Sequence, residues 1–199
     1  MIRRGFLIAA TLLLGGLIAG PGAAQSPVPD NILVIQLGGA GVGEGTVEIE
    51  LLPQIAPQHV ERIKTLARAG AYDDVAFHRV IAGFMAQTGD VKYGKRDVLS
   101  EGRAGFGGSD LPDVPAEFSD ENFAEGVVGM ARAQNPNSAN SQFFIMLAES
   151  AHLNNQYTVF GRVLSGMEHV HAIQKGGGGN GMVAEPDFMV RVQIKGDLE

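Results

Sequence analysis

The chain has 199 residues, of which 45% are hydrophobic and 19% charged, enough apolar material for one globular domain with a sizeable core. Its formal net charge of −7, with no cluster of Lys and Arg, argues against nucleic acid as a main partner, because a phosphate-binding surface needs concentrated positive charge. The absence of cysteine excludes disulfides, thiolate metal sites and a cysteine nucleophile.

The first 24 residues have the three-part plan of a secretory signal peptide. Arg3 and Arg4 precede an apolar run over 6–19, and small residues then predict cleavage after Ala24. The apolar run is short compared with the roughly 20 residues of a bilayer span, which favours a cleaved signal over the alternative of an uncleaved anchor. We therefore expect a protein that has no membrane attachment after cleavage.

The export route stays open between two pathways. The letters RRGFL match a twin-arginine signal, but paired arginines also occur in ordinary Sec signals. Either route predicts an exported protein, in a bacterial periplasm. Residues 25–30 then form a short Pro-rich lead-in to a domain over 31–199.

Apolar patterning predicts about eight short strands and two helices. In chain order the predicted elements are strands over 31–37 and 46–51, a helix over 53–70, strands over 76–81, 84–89, 126–133, 141–147 and 156–164, a helix over 166–176 and a strand over 187–194. Many short strands separated by turns favour a closed antiparallel barrel or a sandwich, and two helices would suit the open ends of a barrel. The long Gly- and Pro-rich stretch over 90–123 predicts functional or covering loops.

Three motifs lack the context that their usual chemistry needs. The run GGGGNG (176–181) follows a helix rather than a strand, so we interpret it as a flexible loop and not as a phosphate-binding turn. His169 and His171 supply too few ligands for a metal site and suit a helix surface. Ser138 and Ser141 do not lie in the G-x-S-x-G turn of a serine hydrolase.

The most unusual residue is Arg79, which interrupts the strand-like apolar run of FHRVIAGFMAQTGD (77–90). A permanently charged side chain is almost never fully buried without a partner. Spacing alone leaves two interpretations open: an arginine that faces solvent over a core of Phe84 and Met85, or a charged group beside an apolar binding site. His78 alternates with Arg79 and is expected to point into the barrel as a structural residue.

Three segments together resemble the signature blocks of the cyclophilins, the peptidyl-prolyl cis–trans isomerases. They are FHRVIAGFMAQTGD, GMARAQNPNSANSQFFIML and HLNNQYTVFGRV, and the similarity extends from Asn31 to Lys195. The resemblance implies a mainly β fold, a closed eight-stranded antiparallel barrel capped by two α-helices, with the site on the outer face of the barrel. It also implies isomerisation of X–Pro bonds in unfolded or flexible polypeptides by a monomer, without metal or cofactor.

The resemblance assigns catalysis to Arg79 and to Gln87, which steadies it. It assigns substrate binding to Phe84, Met85, Phe144 and Leu153 as the proline pocket, to Ala131, Arg132, Ala133 and Gln142 as the wall along the peptide, and to His152 and Tyr157 at the rim.

Three of these positions depart from the family pattern. Arg132 is usually asparagine, which serves substrate through its backbone, so this change need not matter. Many eukaryotic cyclophilins have a tryptophan where His152 stands, and its indole N–H contacts the inhibitor cyclosporin. A family histidine is replaced by Tyr157. These departures predict weak cyclosporin binding.

Three other functions are compatible with parts of the pattern. A peptide-binding chaperone could use the same groove without isomerising, although Arg79 and Gln87 argue against it. A scaffold could dock a partner through residues 90–118. A lipocalin-like carrier would need a hollow barrel, whereas the lumen in the cyclophilin family is packed.

Overall fold

A computed structural model of the protein describes residues 27–198. The predicted signal peptide, its cleavage site after Ala24 and the start of the lead-in lie outside these residues. Within residues 27–198 no helix combines the length and the apolar character needed to cross a membrane. The end of the lead-in forms a short 3-10 turn, Pro29–Asn31. The carboxylate of Asp30 forms salt bridges with Lys64 at 2.8 Å and with Arg68 at 2.7 Å.

The described residues form one curled antiparallel sheet with two helices. The strands are β1 (Ile32–Gly39), β2 (Gly43–Leu51), β3 (Val75–Ala76), β4 (Arg79–Ile81), β5 (Met85–Thr88), β6 (Val127–Met130), β7 (Phe143–Met146), β8 (Val159–Ser165) and β9 (Phe188–Ile194), and the helices are α1 (Pro57–Arg68) and α2 (Met167–Ala172). The strand order is β3-β9-β1-β2-β8-β6-β7-β5-β4. The predicted mainly β, antiparallel fold with two helices is confirmed.

The sheet differs in detail from the predicted closed eight-stranded barrel. The strand predicted over 76–81 is two strands, β3 and β4, which lie at opposite edges of a nine-stranded sheet. Phe77 and His78 connect them. The two edges of the sheet are therefore joined by this short piece of chain and not by hydrogen bonds between β3 and β4. Both connecting side chains are buried, so the sequence pattern does not distinguish them from strand residues.

Both helices are shorter than predicted because local backbone bonds define their ends. Residues before Pro57 form a turn in which Ile55 and Ala56 donate to the carbonyl of Leu52. After α1, Gly70 has φ +64°, a left-handed conformation that ends a helix readily when the residue is glycine. Helix α2 ends at Ala172 because Ile173 leaves the helical conformation, with φ −50° and ψ 136°.

The sheet separates two apolar clusters. The inner cluster contains Phe143 and Ile145 from β7, together with side chains from α1 and α2. The outer cluster contains Leu52, Met85, Phe123, Phe144, Met146, Leu153 and Val159. Because side chains alternate along a strand, β7 contributes to both clusters. The outer cluster provides an apolar surface on the sheet's outer face.

Candidate functional site

The register of three strands places the predicted catalytic residues side by side. Arg79 of β4 lies opposite Gln87 of β5, and Gln87 lies opposite Phe144 of β7. Side chains opposite one another in antiparallel strands are close neighbours on the same face. The three residues therefore form a row across the outer face of the sheet.

The guanidinium of Arg79 is held from two directions. Its Nη1 donates to Oε1 of Gln87 at 3.2 Å and approaches the sulfur of Met85 at 3.7 Å. Its Nε donates to the backbone carbonyl of Asn180 at 2.9 Å. Among residues 27–198, neither N–H of Nη2 has a hydrogen-bond acceptor, so this nitrogen is available to a bound molecule.

Gln87 is held in turn by a chain of hydrogen bonds. Its Nε2 donates to Oε1 of Gln142 at 3.0 Å, and Nε2 of Gln142 donates to the carbonyls of Gly105 and Gly107 at 3.0 and 2.8 Å. The same two glycines donate their N–H groups to the fully buried carboxylate of Asp90. The network links the 90–107 loop to the arginine.

The floor of the site is apolar. Met85, Phe144 and Leu153 are 2, 5 and 7% exposed and belong to the outer cluster, and Phe84 packs against that cluster. Gly129 lies beneath Phe144, and a Cβ there would come within 2.5 Å of the ring, so only glycine leaves room for it. A compact, apolar ring such as that of proline fits such a surface.

These side chains surround a cleft of about 510 Å³. It is lined by Arg79, Phe84, Met85, Gln87, Ala131, Arg132, Phe144, His152, Leu153, Gln156 and Tyr157. A second cleft of about 450 Å³ shares Gln87, Ala131 and Arg132 and adds Ala133 and Gln142. All twelve side chains predicted from the sequence therefore border one or the other of two adjoining clefts.

The rim contains the residues that depart from the family pattern. The ring of His152 stacks on Phe84, with centroids 5.7 Å apart and planes at 30°. Tyr157 meets Phe144 edge to face at 5.7 Å, and the guanidinium of Arg132 lies 4.5 Å from the centre of the tyrosine ring. The lining of the first cleft holds two arginines and no carboxylate, in a chain whose formal charge is −7.

His78, next to Arg79, is 2% exposed. Burial lowers its pKa, although the nearby Asp90 opposes that shift. Neither ring nitrogen has a hydrogen-bond partner among the described residues. A Cβ on Gly105 would lie 3.2 Å from the ring, so the neutral imidazole packs against the loop that supports Gln142.

Several residues of the site were missed from the sequence, and most of them line the second cleft. Gln156 lines the first cleft, and Phe106 lines the second while remaining 86% exposed. Asn180 contacts Arg79 through its backbone carbonyl, in the GGGGNG run that we interpreted as a flexible loop. Every residue type has the same backbone carbonyl, so no signal in the sequence would have identified this contact.

Of the other motifs, the two histidines lie away from the clefts, whereas Ser138 and Ser141 border the second cleft. His171 pairs with Glu125 at 2.7 Å on the surface of α2, and His169 lies 3.7 Å from Glu168. The hydroxyl of Ser141 donates to the carbonyl of Gly89 at 2.7 Å and is buried.

Comparison with known proteins agrees with this geometry. The family model described as cyclophilin type peptidyl-prolyl cis-trans isomerase/CLD matches residues 34–195. A probable peptidyl-prolyl cis-trans isomerase of Brucella suis is 50% identical over 200 residues, which cover 100% of this chain and 98% of that protein.

Solved structures show the same fold. A cyclophilin from Hirschia baltica has a TM-score of 0.72 and 29% identity, covering 88% of this chain and 77% of that one. A cyclophilin type isomerase from Cryptosporidium parvum, crystallised in the presence of the dipeptide Ala-Pro, has a TM-score of 0.67 and 23% identity, covering 82% of this chain and 98% of that one. The present chain therefore belongs to the cyclophilin family and is a peptidyl-prolyl cis–trans isomerase.

Proposed function

We propose that Arg79 drives the isomerisation by stabilising the twisted X–Pro amide. The observation that carries this proposal is a guanidinium beside an apolar floor, whose Nε and Nη1 are fixed by Asn180 and Gln87 while Nη2 has no acceptor among residues 27–198. The substrates are proline-containing, unfolded or flexible polypeptides, whose proline ring lies on Phe144 and its neighbours.

The chemistry requires a donor at the proline nitrogen. Amide resonance holds the X–Pro bond planar with a barrier of about 18–20 kcal/mol. Rotation removes the double-bond character and leaves a lone pair on that nitrogen. An N–H of Arg79 that donates to the lone pair stabilises the twisted state more than either planar state, which is differential binding of the transition state.

A single hydrogen bond does not supply the whole acceleration. Raising an uncatalysed rate of ~10⁻² s⁻¹ to about 10³ s⁻¹ requires roughly 7 kcal/mol. A hydrogen bond to a charged group contributes about 1.5–3 kcal/mol in ordinary surroundings. The remainder must come from a site that excludes water and fixes the ring, as the buried Met85, Phe144 and Leu153 allow.

The direct test is steady-state isomerisation of Xaa-Pro peptides by Arg79→Ala. We expect kcat/KM to fall at least 100-fold, equivalent to about 2.7 kcal/mol of transition-state stabilisation. Arg79→Lys should also fail, because an ammonium does not reproduce the planar fork. Arg162→Ala removes a remote strand arginine, paired with Glu50, and should stay within twofold of the parent. Near-native turnover by Arg79→Ala would refute the mechanism.

We infer that this activity serves exported proteins. The support is the N-terminal pattern of two arginines, an apolar run and Ala24. Expression in a bacterium with an intact export system should give periplasmic protein that starts at or near Gln25, measured by N-terminal sequencing. Periplasmic protein that retains Met1 would contradict cleavage, and protein confined to the cytoplasm would contradict export.

A further inference from the structure

The segment 176–183, which we call the glycine loop, lies along the outer edge of β4. Val80 donates its N–H to the carbonyl of Gly181 at 2.7 Å, and Gly176 donates to the carbonyl of Val80 at 2.9 Å. Val183 donates to the carbonyl of His78 at 3.1 Å. The glycine loop thus occupies the edge that no strand of the sheet covers.

The glycine loop also contacts the Arg79 side chain. Met182 lies opposite Arg79 in an isolated β-bridge, and the carbonyl of Asn180 accepts the hydrogen bond from Nε at 2.9 Å. A guanidinium is planar, so holding Nε on one side and Nη1 on the other fixes the plane of the whole group. Gln87 supplies the second of these two contacts.

We propose that the glycine loop is a positioning element for catalysis, which sets the direction of the Nη2 donor through the Asn180 carbonyl. The inference rests on the proposed role of Arg79. Asn180 acts only through the arginine, so it contributes to the turnover number rather than to substrate affinity. Without this contact, the guanidinium can rotate about its remaining bond to Gln87 and loses the alignment that the twisted amide requires.

Four glycines of the loop form two pairs that make a matched experiment. A Cβ on Gly176 would lie 2.0 Å from the carbonyl oxygen of Gly181, and one on Gly181 would lie 2.3 Å from Cγ1 of Ile81. Gly181 also has φ +73°, which strains any other residue. A Cβ on Gly177 or Gly179 meets nothing within 4 Å.

Alanine at the two packed positions should displace the glycine loop from β4, whereas alanine at the two open positions should not. We expect Gly176→Ala and Gly181→Ala to lower kcat at least tenfold with KM changed less than twofold. Gly177→Ala and Gly179→Ala should change both less than twofold. Thermal unfolding of all four variants shows which are folded.

A less disruptive variant tests the same inference if both Gly176→Ala and Gly181→Ala fail to fold. Oδ1 of Asn180 accepts the N–H of Met182 at 3.2 Å, which closes the turn around the carbonyl that Arg79 uses. Asn180→Ala removes that bond without adding atoms, and we expect kcat to fall at least threefold. Asn180→Asp keeps an acceptor oxygen at the same place and should restore kcat to within twofold of the parent.

Two readouts separate positioning from general damage. In an Arg79→Ala background, Gly181→Ala or Asn180→Ala should change the residual rate less than twofold, because the group that they position is gone. In ¹⁵N-labelled protein, the Arg79 Nε–H should exchange with water faster in these variants than in Gly179→Ala. An equal loss of rate in both backgrounds would show that the glycine loop acts on something other than Arg79.

The outcomes also separate this inference from the proposed function. If Arg79→Ala is inactive while Gly176→Ala, Gly181→Ala and Asn180→Ala match the open-position controls, the glycine loop has no positioning role and the function of Arg79 stands. If Arg79→Ala keeps near-native turnover, the proposed mechanism itself is wrong.

Discussion

Arg79 and Gln87 lie opposite each other on β4 and β5, and the arginine Nη1 donates to the glutamine Oε1 over 3.2 Å. A hydrogen bond to Gln142 fixes the orientation of the Gln87 amide. Gln142 must present its NH₂ group to the carbonyls of Gly105 and Gly107, so its oxygen faces the NH₂ group of Gln87. The oxygen of Gln87 is then left for the arginine.

We predict that Gln87→Ala lowers kcat/KM by about tenfold or more, because one charge-assisted hydrogen bond contributes about 1.5 kcal/mol or more. The fall should appear in kcat, since the proline floor is untouched. Isomerisation kinetics provide the measurement. Gln36→Ala removes an exposed strand glutamine far from the cleft and should leave the kinetics unchanged. Equal kinetics for the two variants would show that Gln87 does not steady Arg79.

The buried carboxylate of Asp90 organises the loop that supports these glutamines. Its Oδ1 accepts the N–H groups of Lys92 and Tyr93 at 3.1 and 2.8 Å, and its Oδ2 accepts those of Gly105 and Gly107 at 2.7 and 2.9 Å. Asparagine can supply only one acceptor oxygen. We predict that Asp90→Asn lowers the free energy of unfolding by about 2 kcal/mol, since two backbone donors lose their acceptor.

Urea denaturation of Asp90→Asn beside Asp97→Asn provides the check. Asp97 is an exposed residue of the same loop, and its variant should stay within about 0.5 kcal/mol of the parent. Because Gly105 and Gly107 also hold Gln142, we expect Asp90→Asn to lower kcat/KM as well. A variant as stable as the parent would mean that water replaces the lost acceptor.

Strand patterning predicted much of the fold and of the candidate site because the relevant information is local. The apolar run in residues 141–147 indicated a strand, and the structure shows Phe143 on the inner face and Phe144 on the outer one. The long cyclophilin-like blocks carry the arginine, the glutamines and the apolar floor. The structure brings these side chains together around two clefts.

Long-range backbone contacts could not be predicted in this way. The carbonyl of Asn180 reaches Arg79 across 101 residues of sequence, and any residue type carries the same carbonyl. The division of the strand predicted over 76–81 was also hidden, because the connecting Phe77 and His78 are as buried as strand residues. The sequence pattern indicates which residues are buried. Which edge of the sheet β3 and β4 join depends on how the whole sheet curls.

His59 and Glu117 form a pH-sensitive contact at the start of α1. Nδ1 of the fully buried His59 lies 2.7 Å from Oε2 of Glu117, and Nε2 has no partner among residues 27–198. Burial lowers the pKa of His59 below its ordinary value of 6.5, although the carboxylate opposes this shift. Burial works to raise the pKa of Glu117, but bonds from His59 and Gln58 hold it below 4.5.

Because the pKa values of His59 and Glu117 are both lowered in the folded protein, both groups make the fold less stable as the pH falls. The unfolded chain binds a proton on His59 at pH values where the folded chain does not, so stability falls as the pH drops below about 6.5. The loss from Glu117 begins below about pH 4.5. We predict that urea denaturation between pH 8 and 5 shows declining stability towards acid, and that His59→Gln has a shallower decline.

The decline in His59→Gln should not vanish, because burial lowers the pKa of His78 as well. Gln36→Ala changes an exposed strand residue without a titratable group and should keep the slope of the parent. A parent protein whose stability is the same at pH 8 and pH 5 would contradict the assignment of a neutral, buried His59.

The rim of the proline cleft predicts how the enzyme responds to cyclosporin. His152 stacks on Phe84 at the position where many eukaryotic cyclophilins have a tryptophan. An imidazole offers less apolar area than an indole, and contact with a large apolar inhibitor depends on that area. The apolar floor is complete, so a small Xaa-Pro substrate does not need the indole. We therefore predict an active isomerase that binds cyclosporin weakly.

Replacing the rim histidine should change inhibition more than catalysis. We predict that His152→Trp tightens cyclosporin binding at least tenfold while kcat/KM changes less than threefold, because the added ring extends the apolar rim beside Phe84 without touching Arg79. Titration of cyclosporin into the isomerase assay measures both. His171→Trp adds the same ring on α2, remote from the cleft, and should not alter inhibition. Nanomolar inhibition of the parent protein, or no gain in His152→Trp, would show that the indole does not decide cyclosporin affinity here.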